Sequence, residues 1–449
     1  MRRNLASNAI VGNLLGTASF IALGLFIQSI YLVVDLHFVA RLGEEALAGV
    51  SIVSLASLIT NATYQVICIG AIALVGRALG ADDTSRANRM MSAAMTLAVI
   101  CTATVFVAGY SGGPLWMNSI AATDGTARAA RTYLFTALPS YALMFPVAVL
   151  SSVLRAAGSM MGATLVFVGS TLVKAALTPL LVNGAWEFPT LNVAGAGLAS
   201  SLSIGGSLIA MCFVLRKHDA LRMEWPQWDT LVSDARHVLR IGIPASAEMG
   251  MVFLTTVTIQ WALRDSGAVT QAGFGAAMRM AQILLAPGMA VALALVPQVA
   301  HCLGAGHHDR RRKSLWWALG LTAVATLSVT LVALLVPRLV LTPIVSGDLA
   351  TLDTASTHLA VLSIAFVPTG VAYVASAYGQ GIGRTLPALY AACVRVPACV
   401  APICALSLME KAAPLTLLWI SVGSVWIQAL AAWLLLFSWQ RSVALPSEA

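Results

Sequence analysis

The chain has 449 residues, 59% of them hydrophobic and only 10% charged, with a mean hydropathy of +0.86 and a formal net charge of +8. Soluble domains run near a quarter charged, so this composition excludes a water-soluble enzyme of two or three domains. The seven cysteines lie within or at the edges of apolar segments and form no CxxC pair, which points to packing residues and away from a disulfide framework or a metal site.

Apolar stretches of roughly 20–30 residues, each long enough to cross a ~30 Å hydrocarbon core, alternate with short polar connectors. Twelve spans are predicted, at 12–39, 45–76, 87–111, 127–157, 160–184, 191–217, 237–264, 268–302, 313–340, 350–380, 384–409 and 413–440. The start MRRNLASNAI is too polar for a cleaved signal peptide, and the apolar stretch after it is too long. Pro139, Pro146, Pro287, Pro297 and Pro368 fall inside spans, as sites of bending or as ordinary packing kinks.

Orientation follows from the cations. With the N-terminus inside, 17 of the 26 Lys and Arg fall on the cytoplasmic side, 6 on the opposite side and three within spans. Both termini are therefore expected in the cytoplasm of a bacterial-type inner membrane. Loop bias and anionic lipid account for the net charge, and no nucleic-acid partner is implied.

An internal repeat is legible. Ala48-Gly49 matches Ala272-Gly273, and Leu79-Gly80-Ala81 matches Leu303-Gly304-Ala305, both at an offset of 224 residues; Arg86 and Arg310 share that offset. One residue out of register, Gly158 matches Gly383. Six spans per copy is an even number, which gives a parallel repeat with a cavity between the halves. The expected organisation is an N-terminal six-helix bundle over 1–217, a cytoplasmic linker over 218–236 and a C-terminal six-helix bundle over 237–449. The linker is basic and amphipathic, with Trp225 and Trp228 expected at the membrane interface.

Charges inside the bilayer are costly and usually face a cavity or a partner. Of the 18 acidic residues only Asp35 and Glu248 fall within spans, joined by three cations, Lys174, Arg279 and Arg395. Asp35, late in the first span in VVDLHFVARLG, suits a proton-coupled step; a carboxylate solvated at the helix end or paired with Arg41 is the alternative. Glu248, four residues after Pro244, is the second candidate proton or cation site. Lys174 is placed in the cavity, against Asp35, or snorkelling to the interface. Arg279 and Arg395 are assigned to cavity water, to Glu248 or to a bent helix. Tyr31, Asn61, Gln65 and Gln260 complete the candidate cavity lining, with ordinary helix packing the alternative for each.

VVDLHFVARLGEEALAGVSI resembles the first-span signature of the multidrug and toxic compound extrusion (MATE) family. VGRALGADDTSRANR, LRAAGSMMGATL, LTPLLVNGAWEFPTLNVAGAGLAS and IGIPASAE resemble further segments of that family, in order and over nearly the whole chain. The resemblance implies a V-shaped, all-α carrier of twelve transmembrane helices with a central cavity, acting as a monomer without cofactor or metal. It also implies a secondary antiporter that exports amphipathic organic compounds in exchange for protons or sodium ions. By resemblance Asp35 matches the first-span aspartate that serves coupling in the DinF-like branch. Two departures matter. Lys174 and Thr178 stand where the family usually carries an asparagine and an aspartate, and the tenth span lacks the acidic residue of the NorM-like branch. Both favour protons over sodium, and Lys174 favours anionic or zwitterionic cargo. The alternative within the superfamily is a flippase for lipid-linked saccharides, to which the first-span signature is opposed. A polytopic lipid enzyme would need clustered catalytic groups, and the seven histidines are scattered or in loops.

Overall fold

The computed structural model describes residues 10–40, 42–120, 123–184, 190–218, 220–345, 349–409 and 413–443, with side chains for all of these except 28–40, 55, 118, 265 and 437–443. Among the described residues there are helices and turns and no strand. The elements are α1 (Ile10–Ala40), α2 (Glu44–Gly80), α3 (Thr84–Ile120), α4 (Asp124–Ala156), α5 (Met160–Asn183), α6 (Asn192–Arg216), α7 (Trp228–Ala262), α8 (Ala268–Gly304), α9 (His308–Leu335), α10 (Pro337–Leu341), α11 (Leu349–Ser363), α12 (Phe366–Gly381), α13 (Leu386–Leu408) and α14 (Pro414–Val443). Among the described residues eleven helices are long and apolar enough to cross a membrane, and α11 with α12 makes up to one more span, bent by 53°. The predicted all-α membrane fold is the fold found.

Two predicted spans are interrupted beside a proline. The tenth, 350–380, is present as a bent pair of helices: α11 stops at Ser363 and α12 starts at Phe366. Pro368 has no N–H for the Ile364 carbonyl, and its ring crowds that turn. The backbone tightens there, with Ile364 and Ala365 donating three residues back, to Val361 and Leu362. Thr330 Oγ1 donates to the Ser363 carbonyl at 3.2 Å. The ninth, 313–340, ends early: Val336, which precedes Pro337, leaves the helical region at φ −135°, ψ 48°. By contrast α4 runs unbroken through Pro139 and Pro146. Pro146 frees the Ala142 carbonyl, and Thr102 Oγ1 of α3 donates to it at 2.8 Å.

The chain divides into two compact units. The first comprises Leu23–Gly242 with Ala300–Gly306; the second comprises Ile243–Val299 and the chain from His307 on, together with residues before Leu23 in α1. In the first, α4 packs between α2 and α6 around Val53, Met117, Leu134 and Leu138. Small residues bring the helices close: a Cβ on Gly49 would lie 2.8 Å from the Ala130 nitrogen, and one on Gly195 would overlap the Leu181 oxygen. The ends of α7 and α8 that belong to this unit meet α2 the same way, through Gly70 against Val238, Gly242 against Val66, Gly80 against His301 and Gly304 against Arg77.

The segment before α7 is docked on α3 of the same unit. Leu221 is buried, the Arg222 N–H donates to Asn88 Oδ1 at 3.0 Å, and Asn88 Nδ2 donates to Glu224 Oε1 at 2.9 Å. Ser92 Oγ adds a bond to the Glu224 carbonyl at 2.8 Å. Trp225 and Trp228 point outward, 91% and 76% exposed. In the second unit a core of Phe274, Leu359, Leu362, Phe366 and Ile403 holds α8, α11, α12 and α13 together.

The repeat is visible in the turns and contacts. Gly158 and Gly383 end α4 and α12 at φ +76° and +75°, the left-handed conformation that glycine takes without strain. Helices α2 and α8 are both 37 residues long and both follow a positive-φ glycine, Gly43 or Gly267.

Candidate functional site in the second unit

Glu248 sits on α7 one turn beyond Pro244, partly buried. The small residues around Pro244 leave room for a neighbouring helix, and α12 presents Ser376 there. Ser376 Oγ donates to Glu248 Oε2 at 2.5 Å, a short, charge-assisted geometry. Gln380, one turn along α12, donates from Nε2 to Ser376 Oγ at 3.2 Å, so the hydroxyl is fixed from both sides. Tyr373, one turn before Ser376, lies within electrostatic reach of both Glu248 and Arg395.

Arg395 of α13 donates from Nη1 to Gln428 Oε1 of α14 at 3.0 Å, while its buried Nε has no partner among the described residues. No ion pair joins it to Glu248. The carboxylate is therefore met by a hydroxyl that an amide holds in place, while the Arg395 guanidinium is engaged by Gln428. Such a site can take up and release a proton without first breaking a salt bridge.

The other predicted residues lie elsewhere. Arg279 is exposed on α8 and lines an open concavity with Gln260. In the first unit, Lys174 is partly buried on α5, and its carbonyl accepts Thr178 Oγ1 at 2.8 Å. Asn61 is exposed on α2 and donates to the Tyr64 hydroxyl at 2.7 Å; Gln65 beside it is partly buried. Asp35 and Tyr31 lie on α1, and their side chains are outside the described residues.

Sequence reasoning did not single out Ser376, Gln380 or Gln428, nor Arg155 as more than a loop cation. Arg155 closes the last turn of α4, with Nη2 on Ser152 Oγ at 2.9 Å and Nε buried without a hydrogen-bond partner among the described residues. One signal existed for Gln428. Ser170 and Ser203 of the first unit, also 33 residues apart, face each other across α5 and α6 at 2.9 Å. Adding the repeat offset of 225 to that pair leads to Arg395 and Gln428.

The fold and this site define a multi-pass helical carrier built by internal duplication. The chain matches the MatE family model twice, over residues 21–180 and 244–406, once in each copy of the repeat. It belongs to the MATE family of multidrug efflux transporters. Among its relatives, the "FAD transporter" of Shewanella oneidensis is 24% identical over 83% of this chain and 82% of that protein. The "Probable multidrug resistance protein NorM" of Bradyrhizobium diazoefficiens is 22% identical over 78% and 76%. Among solved structures, the Vibrio cholerae MATE transporter VcmN in its bent form superposes with a TM-score of 0.87 at 18% identity, covering 97% of this chain and 98% of that one. A MOP superfamily transporter from Pyrococcus furiosus gives 0.84 at 20% identity over 97% and 96%. At such identities the likeness is one of fold.

Proposed function

We propose that the protein is a secondary active antiporter that exports amphipathic organic compounds in exchange for inward protons, by alternating access between its two halves. Glu248 carries this reading. It is a carboxylate inside a span that is hydrogen-bonded by Ser376 and has no cationic partner among the described residues, an arrangement that holds one proton with little rearrangement. Asp35, in the signature that resembles the family's first span, is the second coupling carboxylate, as in the DinF-like branch. The relatives' names support small organic cargo, drugs or a metabolite. Cation-rich loops on one side support an inner-membrane placement with both termini cytoplasmic.

The test is uptake into proteoliposomes under separately imposed pH and sodium gradients. A pH gradient alone should drive exchange in the wild type, and Glu248→Gln should abolish the response. Sodium-driven uptake that ignores pH would overturn the proton assignment.

A further inference from the structure

The second unit contains a concavity of about 600 Å³ that the proton site does not use. Its polar lining is Gln260 of α7, Gln271 and Arg279 of α8, and Thr351 of α11; Ile344 and Val345 form part of the apolar wall. Arg279 is the only charged residue in that lining, and no carboxylate faces it among the described residues. It lies eleven residues into α8, about 16 Å along the axis at 1.5 Å per residue, on a helix long and apolar enough to cross a membrane.

An arginine on a membrane-spanning helix is costly unless water or an anion meets it. Arg279 is exposed into the concavity and makes no hydrogen bond or ion pair with any described residue. Gln271 is tethered, its Nε2 donating to the Gln260 carbonyl at 3.2 Å. Both glutamines line the space that Arg279 faces. At the matching positions of the first copy, 224 residues earlier, the chain has Leu55, Leu36 and Leu47 in place of Arg279, Gln260 and Gln271. Three leucines stand where the second copy has a cation and two amides, so this polar set belongs to one half alone.

We infer that this concavity binds the cargo and selects an organic anion, with Arg279 as the anchor for an oxyanion group carried on an apolar ring system. The guanidinium fork matches phosphate, sulfonate or carboxylate oxygens, the amides supply further donors, and a cation finds no counter-charge among the described lining residues. The inference rests on the reading of the chain as a carrier, but binding tests it without any gradient.

Purified full-length protein in detergent is titrated with flavin mononucleotide and with riboflavin, which share a ring and differ by a phosphate, read by flavin fluorescence. The wild type should bind the phosphorylated ligand on the order of tenfold more tightly, the scale of one added charge-assisted contact. Arg279→Gln should bring that ratio to about one, and Arg279→Lys should keep part of it. Equal binding of the two flavins by the wild type overturns the inference, and so does an unchanged ratio in Arg279→Gln. Phosphatidylglycerol micelles should not displace flavin mononucleotide; displacement would assign the site to a lipid headgroup and overturn the cargo role. Selective binding without uptake under any gradient would sink the antiport reading and leave the anion site standing.

Discussion

Arg395 reaches from α13 to Gln428 on α14 across 3.0 Å, at the same 33-residue separation at which Ser170 and Ser203 join α5 and α6 in the first unit. The two copies thus keep one helix–helix clip and change its chemistry. In the first copy it is a neutral hydroxyl pair. In the second it is a guanidinium held by an amide, and Tyr373 stands within electrostatic reach of that guanidinium and of Glu248.

If Gln428 mainly orients Arg395, then Gln428→Leu should cost stability by leaving a partly buried guanidinium short of a partner, about 1–3 kcal/mol. Removing both partners in Arg395→Leu/Gln428→Leu should recover part of that loss, because an apolar pair leaves nothing unsatisfied. Thermal unfolding of the purified variants checks both, and additive losses would count against the clip.

Ser376→Ala removes the hydroxyl that donates to Glu248. Hydrogen bonds to charged groups are worth about 1.5–3 kcal/mol, so proton-driven exchange should fall by roughly ten- to hundredfold. Ser376→Thr keeps the hydroxyl and should retain most of the rate. Initial rates in proteoliposomes at fixed pH gradient decide between them.

Gly242 and Gly304 should not tolerate a side chain. A Cβ would overlap the Val66 carbonyl oxygen at the first and the Arg77 carbonyl oxygen at the second, and backbone cannot yield as a flexible side chain can. Gly242→Val and Gly304→Val should therefore lower the melting temperature sharply or abolish monodisperse elution. Gly250, on the same α7, has nothing within 4 Å of the added Cβ. Gly250→Ala should fold normally and gain about 0.5–1 kcal/mol from helix propensity.

Asn88 holds the segment before α7 through two hydrogen bonds, to the Arg222 N–H and to Glu224. Asn88→Ala should free that segment without unfolding the spans. Limited trypsin digestion should then cut at Arg216, Lys217 or Arg222 several times faster than in the wild type, with the melting temperature little changed. Unaltered cleavage would show that buried Leu221 alone suffices.

Hydropathy and spacing determined the number and type of elements, because a bilayer demands long apolar helices whatever their neighbours. The same regularity exposed the duplication, which reappears as the matched turns at Gly158 and Gly383 and the matched approaches of Gly49 to Ala130 and Gly273 to Ala355. Cost in the membrane also marked Glu248, Arg279 and Arg395, since a charge stands out against an apolar span without knowledge of the fold.

Partners were beyond its reach. Ser376 is one hydroxyl in a small-residue helix, and only the packing of α12 against α7 turns it toward a carboxylate 128 residues away. The break at Ser363 likewise depends on whether a neighbour can satisfy the freed carbonyls. Pro146 and Pro368 look alike in the sequence, yet α4 stays whole and α11 and α12 part. The sequence by itself determined that the chain is a duplicated run of membrane spans and where the charges of its two copies differ. Tertiary structure alone decided which charge meets a hydroxyl, which an amide and which an open space, because those distances depend on how helices far apart in the chain pack.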